Sequence, residues 1–243
     1  YDRTEILRRL RYMPTENRFR SHYAYTNFGL TAASVAAAHA AGRPWEDLSA
    51  QRLYKQLGMR STSSRLSDFL AHTNRARGHM CLDGRWTAKY QRKPDAQSPA
   101  GGASSNVNDM ARWMRLHLTR GIFNGGPIIA AAALAETYHP HMVNHPETQP
   151  AEARDGFYGL GWNVNYDERG RVTLGHSGAF ALGAATTVTL LPTETLGIVV
   201  LTNGQPIGVP EALVRSFVDL VTYGTAQQDW LTLFRPVFEE MAK

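Results

Sequence analysis

Two short stretches carry side chains whose type and spacing can do chemistry. Tyr25-Thr26-Asn27 places a phenol two residues before a carboxamide, at the mouth of a helix. A phenol in that position shuttles protons if cationic neighbours bring its pKa down from about 10 toward neutrality. A hydrogen-bonded structural tyrosine fits the same three residues, because a tyrosine and an asparagine at this spacing make too short a pattern to identify a site. Tyr23, with no asparagine two positions on, reads as a packing ring.

The second stretch is Leu174-Gly175-His176-Ser177-Gly178-Ala179, at the end of a predicted strand and followed by small residues. Small side chains let a substrate lie against the backbone, where a free N–H can face a developing oxyanion. His176 supplies a donor or a partial positive charge; a tight turn with a surface histidine is the alternative. Pro99-Ala100-Gly101-Gly102-Ala103 opens a helix without the basic residue that phosphate chemistry wants, and reads as a close-packed turn. His139, His141 and His145, and the looser pair His72 and His79, lack the spacing and the carboxylate or thiol support of a zinc site, so no metal is expected. No G-x-S-x-G elbow supports a Ser-His-Asp enzyme.

The elements that must position these residues belong to a chain of 243 residues, 43% of them hydrophobic, enough for one large domain or two packed lobes. Its apolar runs, Ala32–Ala41 and Leu196–Leu201, fall short of the roughly 20 residues of a membrane helix, so no membrane span is expected. The opening YDRTEILRRLRYMP is charged and lacks the apolar stretch of a signal peptide, which suits a cytosolic, mature or truncated chain. Cys81 stands alone, so no internal disulfide forms and the redox compartment stays open. The net charge of +5 comes from scattered arginines such as Arg8, Arg9, Arg11, Arg18 and Arg20, a solvated helix face rather than a nucleic-acid stripe.

Ile6, Leu7 and Leu10 mark a helix over Arg3–Tyr12 that Pro14 ends; helices over Phe28–Ala41 and Trp45–Leu57 follow, stopped by Gly42 and Gly58. Ser61–Ala100 reads as a long excursion with a small hairpin, Met80–Leu82 and Arg85–Ala88, about Asp83-Gly84. Asn106 or Asn108 caps a helix through Leu118, and Ile128–Tyr138 forms another. The period then changes: Gly161–Tyr166, Val172–His176, Ala184–Leu191 and Leu196–Asn203 read as antiparallel strands, before helices over Pro210–Val221 and Trp230–Met241. The order argues an α+β fold, with a helical lobe and its connecting loops over 1–155 and an antiparallel sheet covered by helices over 156–243.

Together these segments resemble the serine β-lactamase and penicillin-recognising hydrolase family, in the branch of class C-type β-lactamases, D-aminopeptidases, DD-carboxypeptidases and related esterases. The resemblance lies in YTNFGL, Gln56-Leu-Gly-Met59, PAGGASSNVNDMARWM, YGLGW at Tyr158–Trp162, and GHSGA followed by LPTETLGIVVLTNG, in the family's order from about Phe19 to Asn203. It implies a β-lactamase/transpeptidase-like fold, with Tyr25 as general base and Asn27 orienting the substrate amide and a lysine. It implies His176-Ser177-Gly178 as the motif on the strand lining the site, Ser177 and Gly178 binding substrate, and Ala179 giving a backbone N–H to the oxyanion hole. No cofactor is implied; the partner is a small-molecule, peptide or ester substrate, and a periplasmic or secreted location follows from the resemblance alone.

Two departures qualify the resemblance. The family's nucleophile and lysine lie in Ser-x-x-Lys, and no Ser-x-x-Lys occurs in these 243 residues. The expectation is a chain incomplete at its N-terminus, with Asp229-Trp-Leu resembling a helix after which some relatives continue into an accessory domain. His176 stands where β-lactamases carry lysine, and a neutral imidazole anchors a carboxylate less firmly than an ammonium, so peptidase or esterase activity is expected over efficient β-lactamase activity. Substrate choice is expected from the loops Ser61–Ala100 and His139–Arg154. The alternatives are a non-catalytic sensor or binding module on the same fold, and an interaction domain whose arginine-rich first helix meets an acidic partner.

Overall fold

The computed structural model describes residues 1–146 and 154–241. They fall into two compact units: Tyr1–Arg75 with Lys93–Ala131 and His141–His145, and Ala76–Arg92 with Ala132–Pro140 and Pro146–Lys243. The segments Ala76–Arg92 and Ala132–Pro140, which precede residue 155, thus group with the sheet.

The first unit is helical. Thr26 caps the helix Asn27–Ala40 by accepting a hydrogen bond from the Phe28 N–H, so the helix begins inside the Tyr-Thr-Asn stretch. Its buried side, Thr31, Ser34 and Ala38, recurs at helical spacing, and Thr31 Oγ1 donates to Gln97 Oε1 at 2.7 Å. Asn106 is the cap of Val107–Leu118, accepting from the Asp109 N–H. Tyr54, Leu57, Met59, Leu116 and Phe123 form the core, with Trp113, Ile128 and Ile129 packed against it. Buried Asp109 pins the Ser61-Thr62 turn to this helix, accepting from Ser61 N at 2.8 Å and Thr62 Oγ1 at 2.9 Å.

The second unit is an antiparallel meander. Its strands lie in the spatial order Leu196–Thr202, Ala184–Leu191, Val172–Phe180, Asn163–Tyr166, Gly156–Tyr158. The helix Val209–Tyr223 packs on the Ala184–Leu191 and Leu196–Thr202 strands and against the last helix, Trp230–Met241. Gly208 (φ 84°) and Gly224 (φ 78°) bracket the first of these helices in the left-handed region that glycine enters freely. At the turn between the two longest strands, Gly183 (φ 101°) backs onto Gly78, and a Cβ on Gly183 would stand 2.2 Å from His79 N. That approach lets His79 donate from its N–H to Asn203 O and accept from Gln205 N, which fixes the hairpin Met80–Leu82 and Arg85–Thr87 beside the sheet.

The α+β architecture, the antiparallel meander and the Asp83-Gly84 hairpin are as the sequence predicts, and both hairpin residues take the positive φ of a type I′ turn. Elsewhere local pattern yields to longer-range bonds. Ile128 and Ile129 donate to Gly121 O, so the predicted Ile128–Tyr138 helix shrinks to Ala131–Glu136. Trp45–Leu57 divides into an α-helix over Trp45–Ser49 and a π-helix over Ala50–Tyr54. Short helices Leu66–Ala71 and Ser98–Gly101 interrupt the predicted loop excursion. Of the loop His139–Arg154, residues 147–153 lie outside the described residues.

Burial holds the His117 imidazole neutral, its pKa pulled down from 6.5 to about 4, beside the Trp113 ring at 4.3 Å. The unfolded chain takes up this proton as pH falls through 6.5 and the folded chain only near 4. The contribution is therefore complete above pH 6.5 and lost on acidification toward pH 4, about 2 kcal/mol at pH 4.5. Urea unfolding at pH 7 and 4.5 should show this loss shrinking in His117→Leu; an equal loss in both proteins would contradict it.

Candidate functional site

Tyr25 and Asn27 stand in the first unit, His176 to Ala179 in the second. Tyr25 is 56% exposed at the mouth of the Asn27–Ala40 helix, while Tyr23 is half-buried. Burial, and then the neighbouring Tyr25 phenol, raise the Tyr23 pKa above the ordinary phenol value. Asn27 is the first residue of the helix, so the backbone that carries it is set by the Thr26 cap.

The His-Ser-Gly-Ala stretch lies within a strand, not at the end of one: Val172–Phe180 extends four residues beyond the predicted end at His176. The reason is pairing. Leu174 through Phe180 match Leu190 through Ala184 residue for residue, with Ser177 opposite Thr187 and Ala179 opposite Ala185. On its other edge the same strand pairs with Asn163–Tyr166 over Val172–Gly175 alone. Among the described residues that ladder stops at Gly175. Among the described residues, backbone N–H and C=O groups along one edge of Ser177–Phe180 have no strand neighbour, and a strand's exposed polar edge is a template for an extended ligand.

His176 is half-buried and held at both nitrogens. Nδ1 lies 2.7 Å from the Ser177 carbonyl oxygen, which can only accept, so Nδ1 carries the proton. Nε2 lies 3.0 Å from the Tyr158 hydroxyl, which can donate to it, the two rings meeting edge to face at 6.0 Å. The imidazole is held in one orientation on the strand by its contacts at both nitrogens. Tyr158 enters from the short strand Gly156–Tyr158, whose three residues are too few to show a period; the YGLGW segment was the only signal of it. Arg92 lies over the Phe180 ring at 3.9 Å, and strand alternation puts that ring on the face of His176.

Ser177 points to the other face. Its Oγ is 2.7 Å from Thr187 Oγ1, and Thr187 Oγ1 donates to Glu211 Oε1 at 3.2 Å, from the first turn of the Val209–Tyr223 helix. These residues line a cavity of about 1250 Å³ within the second unit, whose apolar wall includes Val214, Val218, Trp230 and Phe234. Neither Thr187 nor Glu211 was singled out from the sequence, because cross-strand register and helix docking decide their meeting. Among the described residues no three His, Cys, Asp or Glu side chains come together as a metal cage, and no helix is long and apolar enough to cross a membrane.

The β-lactamase family model matches residues 1–222. An unguisins hydrolase of Aspergillus campestris is 28% identical over 205 residues, 83% of this chain and 36% of that protein. The octameric penicillin-binding protein homologue from Pyrococcus abyssi superposes with a TM-score of 0.79 at 18% identity, over 99% of this chain and 51% of that one. A D-stereospecific amidohydrolase from Streptomyces sp. gives 0.68 at 18% identity, over 85% and 56%. These likenesses show the β-lactamase/transpeptidase-like fold, and the chain spans about half the length of the two solved relatives and about a third of the hydrolase.

The tautomer of His176 is directly measurable. A long-range 15N–1H correlation spectrum at pH 8 should show Nδ1 protonated and Nε2 bare, and Tyr158→Phe should keep that tautomer because the Ser177 carbonyl still holds Nδ1. An Nε2-protonated ring would overturn the arrangement.

Proposed function

The chain belongs to the β-lactamase family, and we propose that it forms part of a serine hydrolase that acts through an acyl-enzyme on an amide or ester. The observation that carries the reading is the strand edge that, among the described residues, has no strand neighbour along Ser177–Phe180, where the family resemblance places Ser177, Gly178 and Ala179 at the substrate. A serine contributed by residues outside these 243 attacks the carbonyl. Tyr25 takes its proton, Asn27 orients the amide, and Ser177 and Gly178 line the bound substrate. The N–H of Ala179 is one of two donors to the tetrahedral oxyanion; loss of one such donor costs about 3–4 kcal/mol of activation free energy in other enzymes.

Amide or ester hydrolysis is favoured over efficient β-lactam hydrolysis because both nitrogens of His176 are engaged and no ammonium stands in its place. The hydrolase and amidohydrolase names of the relatives point the same way. A periplasmic or secreted location belongs to this reading, as does a segment beyond the 243 residues that holds the nucleophile. The absence of Ser-x-x-Lys from the chain favours a second reading, a non-catalytic binding or sensor module on this fold.

Tyr25→Phe in the full gene product separates the two. Tyr25 is exposed, so the missing hydroxyl should leave the Tm unchanged while kcat for amide and ester substrates falls about 100-fold or more. Equal turnover by the variant would remove Tyr25 from the mechanism, and no turnover by either protein would favour the binding module.

A further inference from the structure

The proton directions along Ser177, Thr187 and Glu211 constrain what Ser177 can offer a ligand. A carboxylate only accepts, so the Thr187 hydroxyl gives its single proton to Glu211 Oε1. The Thr187 oxygen is then the acceptor in its 2.7 Å contact with Ser177, which commits the Ser177 proton to Thr187. What remains on the exposed Ser177 Oγ is lone pairs. Its ligand must bring the proton.

A second, independent feature asks for the same kind of group. Glu211 lines the cavity, and among the described residues its buried Oε2 has no hydrogen-bond partner. A buried carboxylate oxygen without a donor is costly, and a donor supplied by a ligand relieves it. The charged neighbours are placed otherwise. Arg215, four residues along the same helix, lies over the Trp230 ring at 5.5 Å. Arg171 is paired with Asp167 and Glu194. Asp219 accepts from Trp230 Nε1 and Gln227 N. Arg154 lines the cavity near the Gly170 turn, and Arg92 sits with Phe180 on the opposite strand face. Glu168 adds a further carboxylate to the lining.

We propose that Glu211, acting through Thr187, is a positioning residue that holds Ser177 as a hydrogen-bond acceptor, so that this part of the site takes an ammonium-bearing ligand in preference to a carboxylate-bearing one. The inference deepens the proposed function, since it rests on Ser177 facing substrate. Thr187 and Glu211 touch no reacting atom; they set the sense of one hydroxyl.

Equilibrium binding tests this without turnover. The protein is titrated by calorimetry with phenethylamine and with 3-phenylpropionate, which share an apolar ring and differ in the sign and donor character of the head group. The amine should bind about tenfold more tightly than the acid and shift the Ser177 and Thr187 amide resonances. Thr187→Val should abolish the preference by freeing the Ser177 proton, whereas Thr187→Ser, which keeps the hydroxyl, should retain it. Glu211→Gln, whose carboxamide can turn a donor toward Thr187, should weaken the preference even if the valine variant does not fold. A merely structural role would change stability and leave the amine-to-acid ratio alone. Equal affinities, a preference for the acid, no binding of either probe, or an unaltered ratio in the folded variants would overturn the proposal. Because no hydrolysis is measured, inactivity of the full gene product would sink the hydrolase reading without touching this one.

Discussion

Everything proposed for this protein depends on unequal pairing of one strand. Val172–Phe180 is held along nearly its whole length by Ala184–Leu191 and along less than half of it by Asn163–Tyr166. The complete ladder makes the backbone rigid through Gly-His-Ser-Gly-Ala, a stretch with little intrinsic preference for a strand. The incomplete one leaves the backbone of Ser177–Phe180 without a strand neighbour on the other edge among the described residues. A site of this kind is preorganised without side-chain bulk: small residues keep the edge approachable, while the neighbouring strand supplies the order they cannot supply themselves.

Around that strand, each polar side chain has its direction set by a partner from another element. The Tyr158 hydroxyl and the Ser177 carbonyl fix His176 on one face. Thr187 and Glu211 fix Ser177 on the other. The ring of His176 and the hydroxyl of Ser177 are thus both oriented by partners on opposite faces of the strand. The scaffold is that of the β-lactamase family, and the side chains grafted on it decide the chemistry.

Much of the scaffold was legible in the sequence, because the signals were local. Asn106 is a good cap three residues before the Asp109 N–H it satisfies, and Asp83-Gly84 tolerates the two positive φ values of a tight hairpin. Leu196–Thr202 and Ala184–Leu191 are long and β-branched enough to declare themselves. What stayed hidden depends on partners far along the chain. Ser177–Phe180 is a strand because Thr187 to Ala184 lie opposite, and Ile128-Ile129 leaves its helix for a carbonyl at Gly121. Tyr25, His176 and their neighbours were recognisable as candidates by type and spacing. Tyr158, Thr187 and Glu211 were not, since nothing near them in sequence names the side chain they meet.

The proposed hydrolase needs these residues to serve a nucleophilic serine lying outside the 243. It is tested most directly by the intact mass of the full gene product before and after a serine-reactive fluorophosphonate, with the labelled peptide sequenced. One adduct is expected, on a serine beyond this chain. No adduct, or an adduct on a serine within the 243 residues, would contradict it.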